Sequence, residues 1–327
     1  MIYSYDVSII IPVYNVREYI HECLESVTIQ SSDIRIECIL VDDCGSDDSI
    51  KIAEKFIESY VGPIKFRIVK HDCNRGLSAA RNTAINVAKG KYLYFLDSDD
   101  KLYPYSIDEL YSLTIKYPET DAVQGNLYSE DIEGLLYNKG SFPNFSSNIK
   151  WIRKGLATLH IPESACNRLI KKSIIVENNL YFKEGWIQED TLWTYLLHNY
   201  IKSIAFSFKP TYYYRKNSGS IMHTSSRIKE ANAFIRIYNF VYNQHRERSF
   251  RLYDVQFLQL LAIRIIKANG LKEKSNVDST GFLFDTMWKL EAMYINKISN
   301  LFVRIIHKFV SYVLLVVLCI NINNNKL

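Results

Sequence analysis

The sequence predicts an α/β fold built on a doubly wound, mostly parallel sheet, with a helical extension at the C-terminal end. Over the first 125 residues, short apolar runs alternate with segments of helical periodicity, which is the pattern of parallel sheets. The first run, Val7–Pro12, is continuous, as expected for a strand that is buried on both faces. Four runs are each followed by a polar cluster: Tyr14-Asn15, Asp42-Asp43, His71 to Arg75 and Asp97 to Asp100. Because ligands bind beyond the carboxyl ends of such strands, the clusters predict one shared site.

Four strands and three helices are predicted in the first part of the chain. The strands are Val7–Pro12, Ile36–Val41, Phe66–Val69 and Tyr92–Leu96. The first two helices have apolar residues at helical spacing, namely Ile20, Leu24 and Val27, then Ile52, Phe56 and Ile57. The third helix spans Gly76–Ala88. We expect Ser46 or Asp47 to cap the second helix.

The rest of the chain is predicted to form a loop region, mixed elements and then helices. Residues 125–148 are rich in Gly, Asn, Ser and Pro, which predicts a loop. Helices are expected over Trp151–Thr158, Asp190–Tyr200, Ala231–Tyr242 and Leu252–Ala268, the last closed by Gly270. We therefore expect two domains, an α/β domain over residues 1–225 and a helical region over residues 226–327.

The composition is that of an ordinary globular protein and excludes several function classes. Of the 327 residues, 48% are hydrophobic and 23% are charged, enough to fill a sizeable core. The net charge is only +5 and no run of Lys or Arg follows one face, so we expect no nucleic-acid partner. The six cysteines have no CxxC spacing, and no signal peptide precedes them. We therefore expect reduced thiols in a cytoplasmic protein, without a zinc site.

The segment Asp97-Ser98-Asp99 is the candidate metal site. In an extended chain, residues i and i+2 point the same way, so both carboxylates can face one small volume. Two hard oxygen ligands suit Mg²⁺ or Mn²⁺, which keep coordination positions for water and phosphate oxygens. A lone D-x-D is a weak signal, since Asp is common in turns and caps. Its position at the end of the fourth strand strengthens the interpretation.

Two other clusters offer groups for a nucleotide. Asp42 can accept a hydrogen bond from a base imide, although a plain loop with Asp47 as the helix cap is the alternative. Arg75 and Arg81 are available for bidentate contacts with a diphosphate. For Arg75 the alternative is a solvated helix start. Arg81 lies among three alanines, which favours a buried, paired guanidinium.

Acid–base chemistry is expected at Glu189-Asp190, before a helical stretch. Asp190 is either an N-cap or a general base, because a helix N-terminus favours an ionised carboxylate that can take a proton. Further along, Arg215 or Lys216 is positioned to close over a diphosphate. His223 is a candidate third metal ligand, although a lone His is usually not one.

Together these segments resemble the family-2 glycosyltransferases, an inverting family with the GT-A nucleotide-sugar fold. The matching segments, in the family's order, are IIIPVYN (9–15), VDDCGSDDS (41–49), NRGLSAARN (74–82), FLDSDD (95–100), QED (188–190) and YYYR (212–215). They cover roughly residues 5–225. One departure is Cys44, where this family usually has Gly.

The resemblance implies a role for each matching residue. Asp190 is implied as the base, with Glu189 beside it, Asp99 is implied to ligate the metal, Mn²⁺ or Mg²⁺, and Asp97 to face the ribose or the metal. His223, outside the matching segments, stays a candidate third ligand. Asp42 is implied to contact the base of the nucleotide. The nucleotide-sugar contacts are assigned to Pro12, Tyr14, Asn15, Asp42, Asn74, Arg75, Arg81, Asp97, Ser98 and Arg215.

The implied activity is the inverting transfer of a sugar from a nucleotide diphosphate, UDP above all, to an acceptor hydroxyl. By resemblance the acceptor is a lipid-linked or growing surface glycan, as in O-antigen or capsule synthesis. A sugar-nucleotide pyrophosphorylase is one alternative, but it needs a Gly-rich basic loop where Pro12 to Asn15 stand. A non-catalytic carbohydrate-binding protein is the other, and it has no need of Asp97, Asp99 and Asp190 together.

The C-terminal tail carries a separate prediction. Phe309–Ile320 is an apolar run of 12 residues, too short for the roughly 20 that span a bilayer. Arg304, His307 and Lys308 lie at i, i+3 and i+4, on one helical face. We expect residues 301–320 to lie in the membrane interface at the inner face of the cytoplasmic membrane. A terminal helix packed on the protein's own core is the alternative.

Overall fold

A four-stranded parallel sheet forms the centre of the first part of the chain. The computed structural model describes residues 3–30, 33–138, 140–217, 226–245 and 251–268. The four strands are β1 (Tyr5–Val13), β2 (Ile36–Asp42), β3 (Lys65–Lys70) and β4 (Gly90–Phe95). They pair in parallel in the order β3-β2-β1-β4. Ile9, Ile10 and Ile11 are all fully buried, so β1 is covered on both faces, as its continuous apolar run predicts.

Three helices connect these strands. They are α1 (Ile20–Thr28), α2 (Ser49–Ser59) and α3 (Leu77–Val87). The N-cap position of α2 is occupied by Asp48, so the prediction that Ser46 or Asp47 caps this helix is wrong by one or two residues. Asp47 Oδ1 nevertheless accepts a hydrogen bond from the Ser49 backbone N–H at 3.0 Å and stabilises the start of α2. Gly76 precedes α3 with a φ of +86°, a conformation that glycine adopts without strain. The small side chains of Ala80 and Ala84 are fully buried and let α3 lie close to the sheet.

Six further strands extend the sheet beyond β4. They are β5 (Lys101–Leu102), β6 (Ala122–Ser129), β7 (Gly134–Leu135), β8 (Phe145–Ser146), β9 (Arg168–Lys171) and β10 (Ile204–Tyr214). The sheet continues β4-β9-β6-β10-β5. Strand β9 is antiparallel to both β4 and β6, whereas β6 and β10 are parallel. The predicted α/β class with a central sheet of mostly parallel strands is confirmed.

The predicted loop over residues 125–148 is wrong for its first five residues, which belong to β6. This strand lacks the apolar pattern that predicts strands, because several of its buried residues are polar and satisfy their polar groups by hydrogen bonds. Asn126 Nδ2 donates to the carbonyls of Tyr137 and Phe208, at 2.8 and 3.1 Å. Gln124 Nε2 donates to the carbonyl of Asn167 at 3.2 Å. The short strands β7 and β8 also fall inside the predicted loop.

The remaining helices include the four that were predicted in this part of the chain. They are α4 (Ser106–Lys116), α5 (Ile149–Ala157), α6 (Lys172–Glu177), α7 (Glu189–Leu197), α8 (Arg227–His245) and α9 (Leu252–Ala268). The chain divides into two compact units, Met1–Thr224 and Ser225–Leu327. In the second unit, α8 and α9 pack against each other through buried residues such as Ile237 and Leu261.

No helix in the described ranges is long and apolar enough to cross a membrane. Gly270, His223 and the predicted interface segment 301–320 lie outside the described residues.

Gly125 gives the first testable prediction. A Cβ at this position would overlap Asn167 Oδ1 and Thr211 Oγ1, which are themselves hydrogen-bonded at 2.7 Å. We expect Gly125→Ala to lower the free energy of unfolding by about 1–3 kcal/mol, the usual cost of overpacking a core. Gly134→Ala is the matched control, since its Cβ meets only ordinary contact at 3.7 Å. Urea denaturation of both variants checks this, and equal stabilities would contradict it.

Candidate active site

The ends of β1, β2 and β4 bring the predicted polar clusters to one edge of the sheet. Asp43 N–H donates to the carbonyl of Val13 and Leu96 N–H donates to that of Ile10, both at 3.0 Å. These two bonds tie the chain after β2 and after β4 to β1. Tyr14 is 49% exposed at this edge, whereas Pro12 is buried within β1.

The turns after β1 and β2 are locked together by Asn15. Asn15 Oδ1 accepts from the Ser46 backbone N–H at 2.7 Å, and Asn15 itself has a φ of +53°. Asp42 Oδ1 accepts from the Cys44 N–H at 3.1 Å. Cys44 has a φ of +56°, so it occupies a left-handed conformation that glycine adopts most readily. This explains physically why glycine suits the position.

Asp43 supports the site from within the protein, a role that the sequence patterns do not reveal. Its buried carboxylate accepts from His71 Nδ1 at 2.7 Å and from Asn74 Nδ2 at 3.0 Å. It also accepts from the backbone N–H groups of Arg75 and Gly76, both at 2.8 Å. The structure therefore uses Asn74 to hold Asp43. In an extended Asp-Asp pair the two side chains alternate in direction, which is the signal that separates Asp43 from Asp42.

Arg81 is the centre of the site. Its side chain on α3 is 1% exposed, and its Nη2 lies 2.9 Å from Asp97 Oδ1, which follows β4. Its Nη1 lies 2.9 Å from both Glu189 Oε1 and Asp190 Oδ1, at the start of α7. The expectation of a buried, paired guanidinium is confirmed. One cation thus joins the candidate metal segment to the candidate base.

Asp190 does not cap α7, so the capping alternative is wrong. Gln188 occupies the N-cap position with a φ of +60°, and Asp190 lies within the first turn. Asp190 Oδ2 accepts from the Ala165 N–H at 3.1 Å, outside the helix. Burial raises the pKa of Asp190, and the Arg81 charge opposes this rise. Burial and the neighbouring Asp190 carboxylate raise the pKa of Glu189 to about 7.

Strand β10 and the residue after it hold the turn from Asp97 to Asp100 by hydrogen bonds. The Tyr212 hydroxyl donates to Asp100 Oδ2 at 2.7 Å and accepts from the Asp97 N–H at 3.2 Å. The Arg215 N–H donates to Asp100 Oδ1 at 2.8 Å. Asp100 and Tyr212 were not singled out from the sequence. Asp100 and Tyr212 are both buried, so Asp97 and Asp99 are the two partly accessible carboxylates of the turn.

The remaining predicted contacts lie around this turn. Arg215 Nε donates to the Asp99 carbonyl at 3.0 Å, and its Nη2 lies 2.6 Å from Glu22 of α1. Arg75 pairs with Glu184 at 3.2 Å on the exposed rim of the site. Ser98 is buried inside the turn. The contact of Glu22 with Arg215 was not predicted. The one sequence feature that points to Glu22 is its position in the helix that follows the first polar cluster.

The residues present fit a divalent cation that binds through few protein ligands. Burial and the Asp97 carboxylate raise the pKa of Asp99, which shows two like charges crowded together. Asn217 Nδ2 donates to Asp99 Oδ2 at 2.9 Å and fixes its orientation. No group of three or more His, Cys, Asp or Glu side chains in the described part of the chain forms a closed metal cage. Two carboxylates suit Mg²⁺ or Mn²⁺ completed by phosphate oxygens and water.

Comparisons with known proteins agree with this geometry. Residues 8–177 match the family model described as glycosyl transferase family 2. The chain is 30% identical over 193 residues to the uncharacterized glycosyltransferase YibD of Escherichia coli (strain K12), covering 57% of this chain and 54% of YibD. It is 28% identical over 247 residues to the glycosyltransferase GlyG of Streptococcus pneumoniae serotype 4, covering 71% of this chain and 78% of GlyG.

Among solved structures, the fold is similar to that of S. aureus TarS 1-349 in complex with UDP-GlcNAc. The TM-score is 0.64 at 20% identity, and the match covers 88% of this chain and 81% of that one. This likeness shows the GT-A fold. The alignment to YibD spans about half of that relative's length.

The Arg81 cluster gives the second prediction. Removing one partner of a buried ion pair typically costs about 3–5 kcal/mol, because the remaining charges stay buried without compensation. We expect Arg81→Met to lose stability in that range. The deficit should shrink as the pH falls from about 8 to about 6, since protonation of the crowded carboxylates relieves their repulsion in the folded state.

Thermal and urea unfolding across this pH range check the prediction. Arg75→Met is the control, because its pair with Glu184 is about half exposed and such pairs contribute roughly 0–1 kcal/mol. A loss of stability for Arg81→Met no larger than that of the control would contradict the central role of the guanidinium.

Proposed function

This chain belongs to glycosyl transferase family 2, and we propose that it is an inverting enzyme that moves a sugar from a UDP-sugar to an acceptor hydroxyl. The observation that carries the proposal is the bridge from Arg81 to Asp97 and Asp190. It holds a metal-type carboxylate and a base-type carboxylate on one guanidinium, at the strand edge where ligands bind. The family match supports neither the pyrophosphorylase nor the non-catalytic alternative.

We assign the nucleoside to the side of the site formed by β1 and β2. Asp42 is available for the base, and the exposed Tyr14 ring offers a flat apolar face beside it. Asn15 and Asn74 have a supporting role, because their side chains are hydrogen-bonded to the turn that follows Asp42. The bound UDP-GlcNAc in the TarS structure supports UDP as the nucleotide.

Asp97 and Asp99 are the residues that would hold Mg²⁺ or Mn²⁺. When bound, such a cation neutralises the charge that develops on the departing diphosphate. Arg215 lies beside this turn and Arg75 lies on its rim, where both can contact phosphate oxygens. In the structure each is paired with a glutamate, so the diphosphate would compete with Glu22 and Glu184 for them.

Asp190 is proposed as the general base. It lies in the first turn of α7, where the helix dipole favours the ionised carboxylate. Arg81 and the Ala165 N–H hold both of its oxygens in fixed directions. Deprotonation of the acceptor hydroxyl by Asp190 directs the oxygen at the anomeric carbon from the side opposite the diphosphate, which inverts that centre. Glu189 contacts the same guanidinium as Asp190 and adds a second carboxylate beside the base.

The acceptor is proposed to be a lipid-linked or growing surface glycan, and the enzyme to act at the inner face of the cytoplasmic membrane. In the sequence, Arg304, His307 and Lys308 are spaced at i, i+3 and i+4 just before the apolar run 309–320, and this pattern supports peripheral contact with anionic lipid.

A donor screen tests the proposed activity. The full chain is incubated with UDP-, GDP- and TDP-sugars and Mn²⁺, with and without a lipid-linked acceptor, and the release of free nucleotide is measured. Release of UDP that increases when the acceptor is added supports the proposal. Formation of a nucleotide triphosphate from pyrophosphate, or no release with any donor, would contradict it.

Asp190→Asn is the substitution that tests the base. Asn cannot accept the acceptor's proton, and general-base catalysis typically contributes about 10²–10⁴-fold. We expect transfer to fall at least about a hundredfold, with donor KM and Tm close to wild type. Glu189→Gln is the matched control, because it leaves the base in place and should retain far more activity. Equal turnover of Asp190→Asn and wild type would pass the role to another carboxylate.

Removal of divalent metal gives a further prediction. We expect EDTA to abolish transfer and Mn²⁺ or Mg²⁺ to restore it, because two carboxylates and a diphosphate need a hard cation between them. Asp99→Ala should lose metal-dependent activity while its unfolding curve stays cooperative. Full activity in EDTA would contradict the assignment of a metal to Asp97 and Asp99.

A further inference from the structure

Arg168 is a fully buried cation that the proposed mechanism leaves unexplained. It lies at the start of β9 and is 1% exposed. Its Nε donates to Gln124 Oε1 at 2.9 Å, its Nη1 donates to Thr194 Oγ1 at 3.3 Å, and its Nη2 donates to the Pro162 carbonyl. All three acceptors are neutral. Burying a charge without an opposite charge in contact is costly, so such a residue is expected to serve a purpose beyond packing.

Two of the three contacts of Arg168 hold elements that meet at Asp190, and the third anchors the guanidinium to Gln124 of β6. Pro162 begins the segment 162–166, and the Ala165 N–H of this segment donates to Asp190 Oδ2 at 3.1 Å. Thr194 lies on α7, one helical turn after Asp190, and its hydroxyl donates to the Glu163 carbonyl at 2.6 Å. Arg168 therefore fixes the spacing between α7 and segment 162–166, and with it the contact between Ala165 and Asp190.

Charge points to the same partner. Burial lowers the pKa of Arg168 to about 10, and the carboxylate that most opposes this shift is Asp190. Arg81 is the buried guanidinium in direct contact with Asp190, whereas Arg168 is linked to it through Thr194 and the segment 162–166. The charged or titratable side chains around Asp190 come from several elements and are Arg81, Asp97, Glu163, Cys166, Arg168 and Glu189.

We propose that Arg168 is the positioning residue for Asp190: its guanidinium ties α7 to the segment 162–166, whose Ala165 N–H orients the carboxylate. The positive charge of the same guanidinium favours the ionised carboxylate. This inference rests on the proposed role of Asp190 as the base. Arg168 touches no substrate in this arrangement, so it acts only through Asp190. Its effect should fall on kcat and on the pH profile, and the donor KM should stay unchanged.

The test compares Arg168→Gln with Arg168→Lys in the UDP-release assay, at temperatures where each variant is folded. Loss of the charge in Arg168→Gln should lower kcat at least about tenfold and move the acid limb of kcat/KM to higher pH, since the Glu189–Asp190 pair then ionises less readily. Arg168→Lys retains the charge but loses the three-way contact, so it should lower kcat without moving the limb.

Arg67→Gln is the matched control. Arg67 on β3 also holds a backbone carbonyl, that of Val87 at 2.7 Å, and β3 is separated from β9 by β2, β1 and β4 in the sheet order. Its loss should change stability and leave the pH limb in place. If Arg168→Gln does not fold, Thr194→Val serves instead, because it removes the hydroxyl that accepts from Arg168 and donates to the Glu163 carbonyl, and it retains both arginines. It should lower kcat at unchanged donor KM, and an unchanged kcat would overturn the proposal.

A double-mutant cycle separates this inference from the proposed function. If Arg168 acts through Asp190, Arg168→Gln should cause little further loss in an Asp190→Asn background. Additive losses, or an unmoved pH limb in the single variant, would overturn the role of Arg168 while leaving the base in place. A silent Asp190→Asn variant would instead reject the base itself.

Discussion

The arrangement of the site depends on one buried cation placed among three carboxylates. Asp97, Glu189 and Asp190 come from two regions nearly a hundred residues apart, and their charges repel at this distance. The Arg81 guanidinium compensates that repulsion from a helix whose small residues let it approach the sheet. Because the guanidinium is planar and has several donors, a lysine at this position could not hold all three carboxylates in fixed directions.

The carboxylates at the strand edge fall into two groups with different duties. Asp43 and Asp100 are buried and accept hydrogen bonds from the surrounding backbone and side chains, so they shape the two turns. Asp42 and Asp99 stand next to them in the sequence and face the accessible side of the same turns. Rigid turns below accessible carboxylates are what a binding site needs, since a ligand then meets groups that are already in place.

The sequence was most informative where strands are apolar and least informative where buried residues are polar. The first four strands and the site at their carboxyl ends follow from continuous apolar runs ending in charged residues. Strand β6 was not predicted because Gln124 and Asn126 form hydrogen bonds with residues distant in sequence, and local sequence patterns do not reveal such bonds. For the same reason Arg168 and Glu22 were missed, whereas the alanines around Arg81 correctly indicated burial.

The antiparallel direction of β9 has an evolutionary consequence. Because β9 runs against β4, the residues before it, and not those after it, reach the catalytic edge of the sheet. The half of the site built by β1 to β4 comes from loops that follow strands, and the Asp190 half comes partly from the loop that precedes one. The two halves are thus encoded by separate stretches of the gene. Under the proposed roles, changes in the stretch before β9 alter the setting of the proposed base and leave the loops that follow β1, β2 and β4 unchanged.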